Sequence, residues 1–183
     1  MNVIRRRLGV LTLLACVAAA FTVGCGYSLA GRGSYLPANI RTIGIPTFVN
    51  RTSVFNLETQ LTEKVRSEFL GRGKYTVVPE ATGVDALLTG EVISVTATPA
   101  AYTADNLANR YTLRMTARVE LRDQRDQTVL WQNPSLVFSQ DFDVQTGTAA
   151  LDPQTFFGQD QNAFDRMTSE FAKSIVSAIL EAF

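Results

Sequence analysis

The clearest pattern in the chain is a strict alternation of apolar and polar residues between Arg110 and Arg122. A period of two predicts a β-strand with one buried face, because successive side chains of a strand point to opposite faces of the sheet. The apolar positions are Tyr111, Leu113, Met115, Ala117, Val119 and Leu121. The polar positions include a row of four arginines at Arg110, Arg114, Arg118 and Arg122, which we expect to point away from the core.

Two other stretches repeat apolar residues every three or four positions, which predicts amphipathic helices. The first helix is expected from about Val54 to Phe69, after capping side chains at Asn50 to Ser53 and before a left-handed cap at Gly71 or Gly73. The second is expected from about Asp160 to Ala182. Their apolar stripes are Val54, Leu57, Leu61, Val65 and Phe69, and then Phe164, Met167, Phe171, Ile175 and Ile179.

Further strands are predicted from β-rich segments bounded by Pro, Gly and polar turns. They run from Ile40 to Thr47, from Tyr75 to Val78, from Ala86 to Thr98 with either a bulge near Gly90 or burial on both faces, and from Val129 to Val144 with an interruption at Pro134. Pro99 to Asn109 is predicted to be a loop. The elements predict an α+β fold in β-α-β-β-β-α order. It is a two-layer sandwich, with a mixed or antiparallel sheet of four to five strands and two helices on one face.

The N-terminus has the pattern of a secretory signal. Arg5, Arg6 and Arg7 precede an uncharged apolar run from Leu8 to Val23, which is shorter than the roughly 20 residues of a membrane-spanning helix. We therefore predict a lipoprotein signal peptide at residues 1–24, a covalent lipid on Cys25, a leader at 25–39 and a single domain at 40–183. Cleavage at Cys16 and an uncleaved anchor are the alternatives. The Cys16 site would leave an apolar run of only about eight residues.

Composition excludes several classes of function. Three of the 17 basic residues and none of the 17 acidic residues lie in the predicted signal, so the mature chain is slightly acidic and nucleic-acid binding is not expected. The chain has no histidine and two cysteines, which removes the commonest general base, the usual zinc ligands and a Cys-His nucleophile. We expect neither an enzyme nor a metal or other cofactor. Asp141 and Asp143 share a face, but we interpret them as solvated surface carboxylates that favour solubility rather than as a carboxylate pair or calcium ligands.

A series of short motifs resembles the LptE family of lipopolysaccharide-assembly lipoproteins. They are Cys25-Gly26-Tyr27-Ser28-Leu29, Leu36-Pro37, Ile43-Gly44-Ile45-Pro46, Asn50-Arg51-Thr52, Gly83-Val84-Asp85-Ala86 and Gly90-Glu91-Val92, in that order. The resemblance implies an outer-membrane lipoprotein that plugs an LptD-like β-barrel, assists its assembly and binds lipopolysaccharide. Gly26, rather than Asp, after the anchor cysteine favours outer-membrane delivery.

Three alternatives stay open from the sequence. The row of four arginines either binds lipid A phosphates, which suit guanidinium groups, or belongs to a solvated face whose charges prevent aggregation. Trp131 either closes the edge of the core or contacts a partner. The protein itself either serves lipopolysaccharide transport or is another envelope lipoprotein that scaffolds or regulates peptidoglycan synthesis or secretion machinery.

Overall fold

The sheet and its helices follow the predicted fold class. The computed structural model describes residues 36–72, 74–104, 107–148 and 153–183. Its strands are β1 Thr42–Gly44, β2 Val49–Asn50, β3 Thr76–Val78, β4 Ala86–Tyr102, β5 Ala108–Asp123 and β6 Val129–Thr148. Its helices are α1 Leu57–Gly71, α2 Pro153–Gln159 and α3 Gln161–Leu180. The α+β prediction is confirmed; β2 and α2 are short elements that the sequence analysis did not anticipate.

The strands form a mixed sheet in the order β3-β1-β4-β5-β6, with β2 also paired to β4. The pairs of β1 with β3, β1 with β4 and β2 with β4 are parallel, whereas β4, β5 and β6 form an antiparallel meander. Helix α1 makes the crossover that parallel neighbours such as β1 and β3 require. The meander strands β4, β5 and β6 are much longer than the other three strands, so they form most of the sheet surface.

The helices cover one face of this sheet. All six apolar residues of the β5 alternation are buried, as are the apolar positions of both predicted helical stripes. They belong to one hydrophobic cluster, in which the ring centroids of Phe138 and Phe171 lie 5.7 Å apart and those of Tyr111 and Phe156 lie 5.4 Å apart. The side chains of β5 that alternate with this core are exposed or half-buried, so the opposite face meets solvent. We call this second surface the outer face.

The loop prediction for Pro99 to Asn109 is wrong. Strand β4 continues to Tyr102 and β5 begins at Ala108, with Pro99 opposite Tyr111 and Tyr102 opposite Ala108. Proline is tolerated in β4 because, in the described residues, no strand pairs with the other side of β4 beyond Val92. A missing N–H on that free side costs no ladder hydrogen bond.

The boundaries of α1 also differ from the prediction. The helix begins at Leu57, because Asn56 adopts a left-handed conformation with φ 63°. Asn50 does not cap it; its amide donates to the Val54 carbonyl and to Glu58, which orders the preceding loop. At the other end Gly71 belongs to the helix and Arg72 is right-handed with φ −75°, so the left-handed cap predicted at Gly71 is not found. Gly73 lies outside the described residues.

The bulge predicted near Gly90 lies slightly further along β4, between Val92 and Ser94. Gly90 has a different role, because a Cβ atom at this position would come within 2.5 Å of the Phe48 ring. Phe48 is 3 % exposed. The glycine therefore lets a buried aromatic ring pack directly on the strand backbone.

Gly44 is packed still more tightly, and we expect Gly44→Ala to lower the free energy of unfolding by about 1–3 kcal/mol. A Cβ atom at Gly44 would overlap the backbone carbonyl oxygen of Glu80, which cannot move aside as a flexible side chain would. Urea denaturation measures the change. Gly71→Ala is the matched control, since nothing lies within 4 Å of its added methyl group. Equal midpoints for the two variants would contradict the predicted clash.

Candidate functional site

The outer face of the meander is rich in hydroxyl groups. In its central part Thr96 of β4, Arg114 of β5 and Ser139 of β6 lie opposite one another in register. The flanking rows are Thr98, Thr112 and Asp141 on one side, and Ser94, Thr116 and Val137 on the other. Alternate residues of paired strands share a face, so these side chains line one continuous surface. It is a surface of short hydrogen-bonding groups around a single cation.

The structure places all four predicted arginines on the outer face, but their surroundings differ. Arg110 Nε lies 2.7 Å from Asp143, Arg118 lies 2.7 Å from Glu91, and Arg122 lies 2.5 Å from Glu120. Arg114 is exposed and has no ion-pair partner among the residues that the structure describes. The four side chains are therefore not equivalent: three cations are balanced by carboxylates, and one is available to an external anion.

A shallow depression lies beside Arg118. It has a volume of about 270 Å³ and is lined by Val49, Arg51, Thr89, Gly90, Glu91, Arg118 and Glu120. The two oxygens of Glu91 accept hydrogen bonds from Arg51 and Arg118, each at 2.7 Å. The bond from Arg51, followed by the charges of both guanidinium groups, holds the pKa of Glu91 below its usual value despite partial desolvation. Glu91 of β4 thus links Arg118 of β5 to Arg51, which directly follows β2.

Sequence reasoning missed Arg51, Glu91 and Glu120 as neighbours of the arginine row. Arg51 and Glu91 lie outside β5, and Glu120 lies two residues before Arg122 on the same face of β5. Which arginine Glu91 meets depends on the register between β4 and β5. One signal was present in the sequence. Glu91 is a charged residue within the apolar stretch of β4, and such a residue usually has a partner.

Asp141 and Asp143 are parts of the outer-face network. Asp141 accepts a hydrogen bond of 2.6 Å from the Thr112 hydroxyl, and Asp143 pairs with Arg110. Both carboxylates are exposed on β6. Within the described ranges there is no group of three or more acidic, histidine or cysteine side chains that could hold a metal ion.

Trp131 lies on the inner side of the sheet. It is opposite Leu121 in the β5–β6 ladder and packs, half-buried, against the hydrophobic core. This placement agrees with the core-edge alternative.

Cys25 and Cys16 lie outside the described residues. No helix in the part of the chain that is described is both long and apolar enough to cross a membrane.

Several solved structures are similar to this chain at low sequence identity. The hypothetical protein CT253 from Chlamydia trachomatis is 13 % identical, with 77 % of this chain and 96 % of that chain covered and a TM-score of 0.54. Protein XCC0632 from Xanthomonas campestris is 13 % identical, covering 80 % and 90 % with a TM-score of 0.49. The rare lipoprotein B from Shewanella oneidensis is 14 % identical, covering 75 % and 96 % with a TM-score of 0.44.

The family comparison is more specific. No curated protein sequence matches the chain. The family model LptE, described as lipopolysaccharide-assembly, matches residues 40–179, which include every strand and nearly all of α3. The match spans most of the chain, so the function class is lipopolysaccharide assembly. The chain belongs to the LptE family.

Proposed function

We propose that this protein is an outer-membrane lipoprotein of the lipopolysaccharide transport translocon. It is anchored through Cys25, plugs and helps to assemble an LptD-like β-barrel, and binds lipopolysaccharide on the outer face. Membership of the LptE family supports a role in lipopolysaccharide assembly. The signal pattern before Cys25 supports a covalent lipid anchor on that cysteine. The role is non-catalytic.

The observation that carries the lipopolysaccharide contact is the position of Arg114. Its guanidinium group is exposed, lacks an ion-pair partner in the described residues, and lies between the hydroxyl-bearing Thr96 and Ser139. Guanidinium groups bind phosphate through two parallel hydrogen bonds, and charge assistance makes these bonds stronger than neutral ones. Hydroxyl groups both donate and accept, so the surrounding residues suit phosphate oxygens and sugar hydroxyls alike.

The paired arginines have a secondary part in this proposal. Arg110, Arg118 and Arg122 each engage a carboxylate, and a phosphate must compete with that carboxylate for them. Positions four residues apart on a strand are about 13 Å from each other. A ligand held at Arg114 therefore reaches Arg110 or Arg118 only through a second anionic group.

The polar outer face also suits a barrel lumen. Interiors of large outer-membrane barrels are polar, and a plug must present hydrogen-bonding groups to them. The meander offers threonine, serine and charged side chains, while the helices bury the apolar face. Copurification with a large β-barrel protein from solubilised outer membrane separates this role from that of a lipoprotein serving peptidoglycan synthesis or secretion.

Arg114→Glu tests the lipid contact. We expect it to weaken binding of purified lipopolysaccharide at least about tenfold, because a carboxylate repels the phosphate that the guanidinium would bind. Binding to the immobilised full-length protein is measured at low and physiological salt, and wild-type affinity should fall as salt rises. The double variant with Arg118→Glu should bind still more weakly.

Arg72→Glu is the matched control. Arg72 is also an exposed arginine, but it lies at the end of α1 and pairs with Glu68. Its charge reversal should leave lipopolysaccharide binding within about twofold of wild type. A folded Arg114→Glu protein that binds as the wild type does would refute the proposed contact.

A further inference from the structure

Strand β6 forms one edge of the sheet. Within the described residues it pairs with β5 alone, and it is 20 residues long. Between Leu136 and Asp143 its register with β5 runs through eight consecutive pairs without a shift. The backbone groups on the far side of this segment therefore form a regular row without a strand partner among the described residues. Such a row is a template for another extended chain.

Other free edges of the sheet are protected from strand addition. Strand β3 is only three residues long, and the free part of β4 contains Pro99 and three register shifts. Strand β6 also contains a proline, Pro134, at the register shift between Asn133 and Leu136. Short edges, proline and bulges are the usual devices against edge pairing. Residues 136–143 contain no proline, glycine, lysine or arginine, so these devices stop where the regular segment begins.

The side chains along this segment indicate what a partner strand would present. On the outer face Val137, Ser139, Asp141 and Asp143 alternate, and Asp143 is 75 % exposed. On the inner face Phe138 packs on Phe171, and Phe142 lies under the Arg166 guanidinium at 4.6 Å. Phe142 is buried, whereas Phe138 is half-buried, so an added strand would meet carboxylates on the outer face and the Phe138 ring on the inner face.

Charge argues against a second copy of the same strand. β6 carries Asp141 and Asp143 but no lysine or arginine over its whole length. Two β6 strands side by side would bring together four carboxylates without adding a cation. Opposite charges across neighbouring strands stabilise a sheet, whereas like charges destabilise it.

We propose that residues 136–143 of β6 are an interaction surface for an extended segment of another protein, with basic side chains on the outer face and apolar side chains on the inner face. Main-chain hydrogen bonds supply the affinity and alternate side chains the specificity. The surface borders the lipopolysaccharide contact, because Ser139 is the neighbour of Arg114, but it uses the backbone on the far side of β6 and goes beyond the proposed function. Either can fail without the other.

A synthetic peptide of about nine residues that alternates lysine with valine is the probe. We expect it to bind the full-length protein saturably in fluorescence anisotropy, and a peptide that alternates glutamate with valine to bind at least about tenfold more weakly. N-methylation distinguishes strand pairing from simple charge attraction. Because a strand pairs through the N–H groups of alternate residues, methylating one alternate set should abolish binding, and methylating the other should leave it nearly intact.

The protein variant reverses the preference. Asp141→Lys with Asp143→Lys should favour the glutamate peptide over the lysine peptide. Equal losses from both methylation patterns, an unchanged preference in the variant, or no saturable binding of the lysine peptide would each overturn the proposal. Concentration-dependent dimerisation of the protein without peptide, abolished by Ser139→Pro, would overturn it in favour of a second copy.

Discussion

Phe171→Ala is expected to lower the free energy of unfolding by about 3–5 kcal/mol. The ring is fully buried in α3 and stacks on Phe138 of β6, at the point where the helix layer meets the edge of the sheet. Truncation removes apolar contacts and leaves a cavity that close-packed neighbours fill only in part. Chemical denaturation should show a lower midpoint at an unchanged slope, since a change in slope would indicate an altered denatured or native state.

Lys173→Ala is the control for this measurement. Lys173 lies two residues further along the same helix, is exposed, and pairs with Glu170. Surface substitutions of this kind usually change stability by less than about 0.5 kcal/mol. If Phe171→Ala moved the midpoint no more than Lys173→Ala, α3 would be a peripheral helix and the two-layer core would be wrongly described.

Cys25→Ala is expected to remove the lipid adduct and, for molecules that are not bound inside a barrel, the outer-membrane location. Acyl chains contribute about 0.8 kcal/mol of membrane binding for each buried CH₂ group, so their loss removes the main attachment of the free protein to the membrane. The domain should still fold, because its first strand begins at Thr42. Intact mass and membrane fractionation measure the lipid and the location, and circular dichroism of the purified variant measures the fold.

Cys16→Ala is the matched control for the anchor. It changes the other cysteine of the chain within the predicted signal, and the mature protein should keep its lipid. Loss of the adduct in Cys16→Ala, with retention in Cys25→Ala, would move the cleavage site to Cys16. An unmodified wild-type protein would remove the lipid anchor from the proposal.

The sequence predicted the elements whose burial pattern is regular. The alternation at 110–122 is found as β5, and the stripe from Phe164 to Ile179 is the buried face of α3. Both signals are strong because one face of each element packs on the core along its whole length. The local features that were wrong depend on tertiary context. Pro99 continues a strand because β4 is free on one side there.

The candidate site could be predicted only in part. The parity of the alternation places the four arginines on the outer face, as the structure does. Which of the arginines has a carboxylate partner depends on Glu91, Asp143 and Glu120. The first two of these lie on neighbouring strands. Strand register decides which carboxylate meets which arginine, and a register cannot be read from one strand's pattern. That Arg114 has no ion-pair partner among the described residues is therefore a property of the folded sheet.

Lipopolysaccharide is expected to contact the outer face of the meander around Arg114. A photo-crosslinking amino acid placed at Thr96, in register with Arg114, should form a lipopolysaccharide adduct in living cells. The same amino acid at Ser67, an exposed position on α1, should form none. Adducts from Ser67 alone, equal adducts from both positions, or no adduct from Thr96 in a folded and membrane-localised protein would contradict the account.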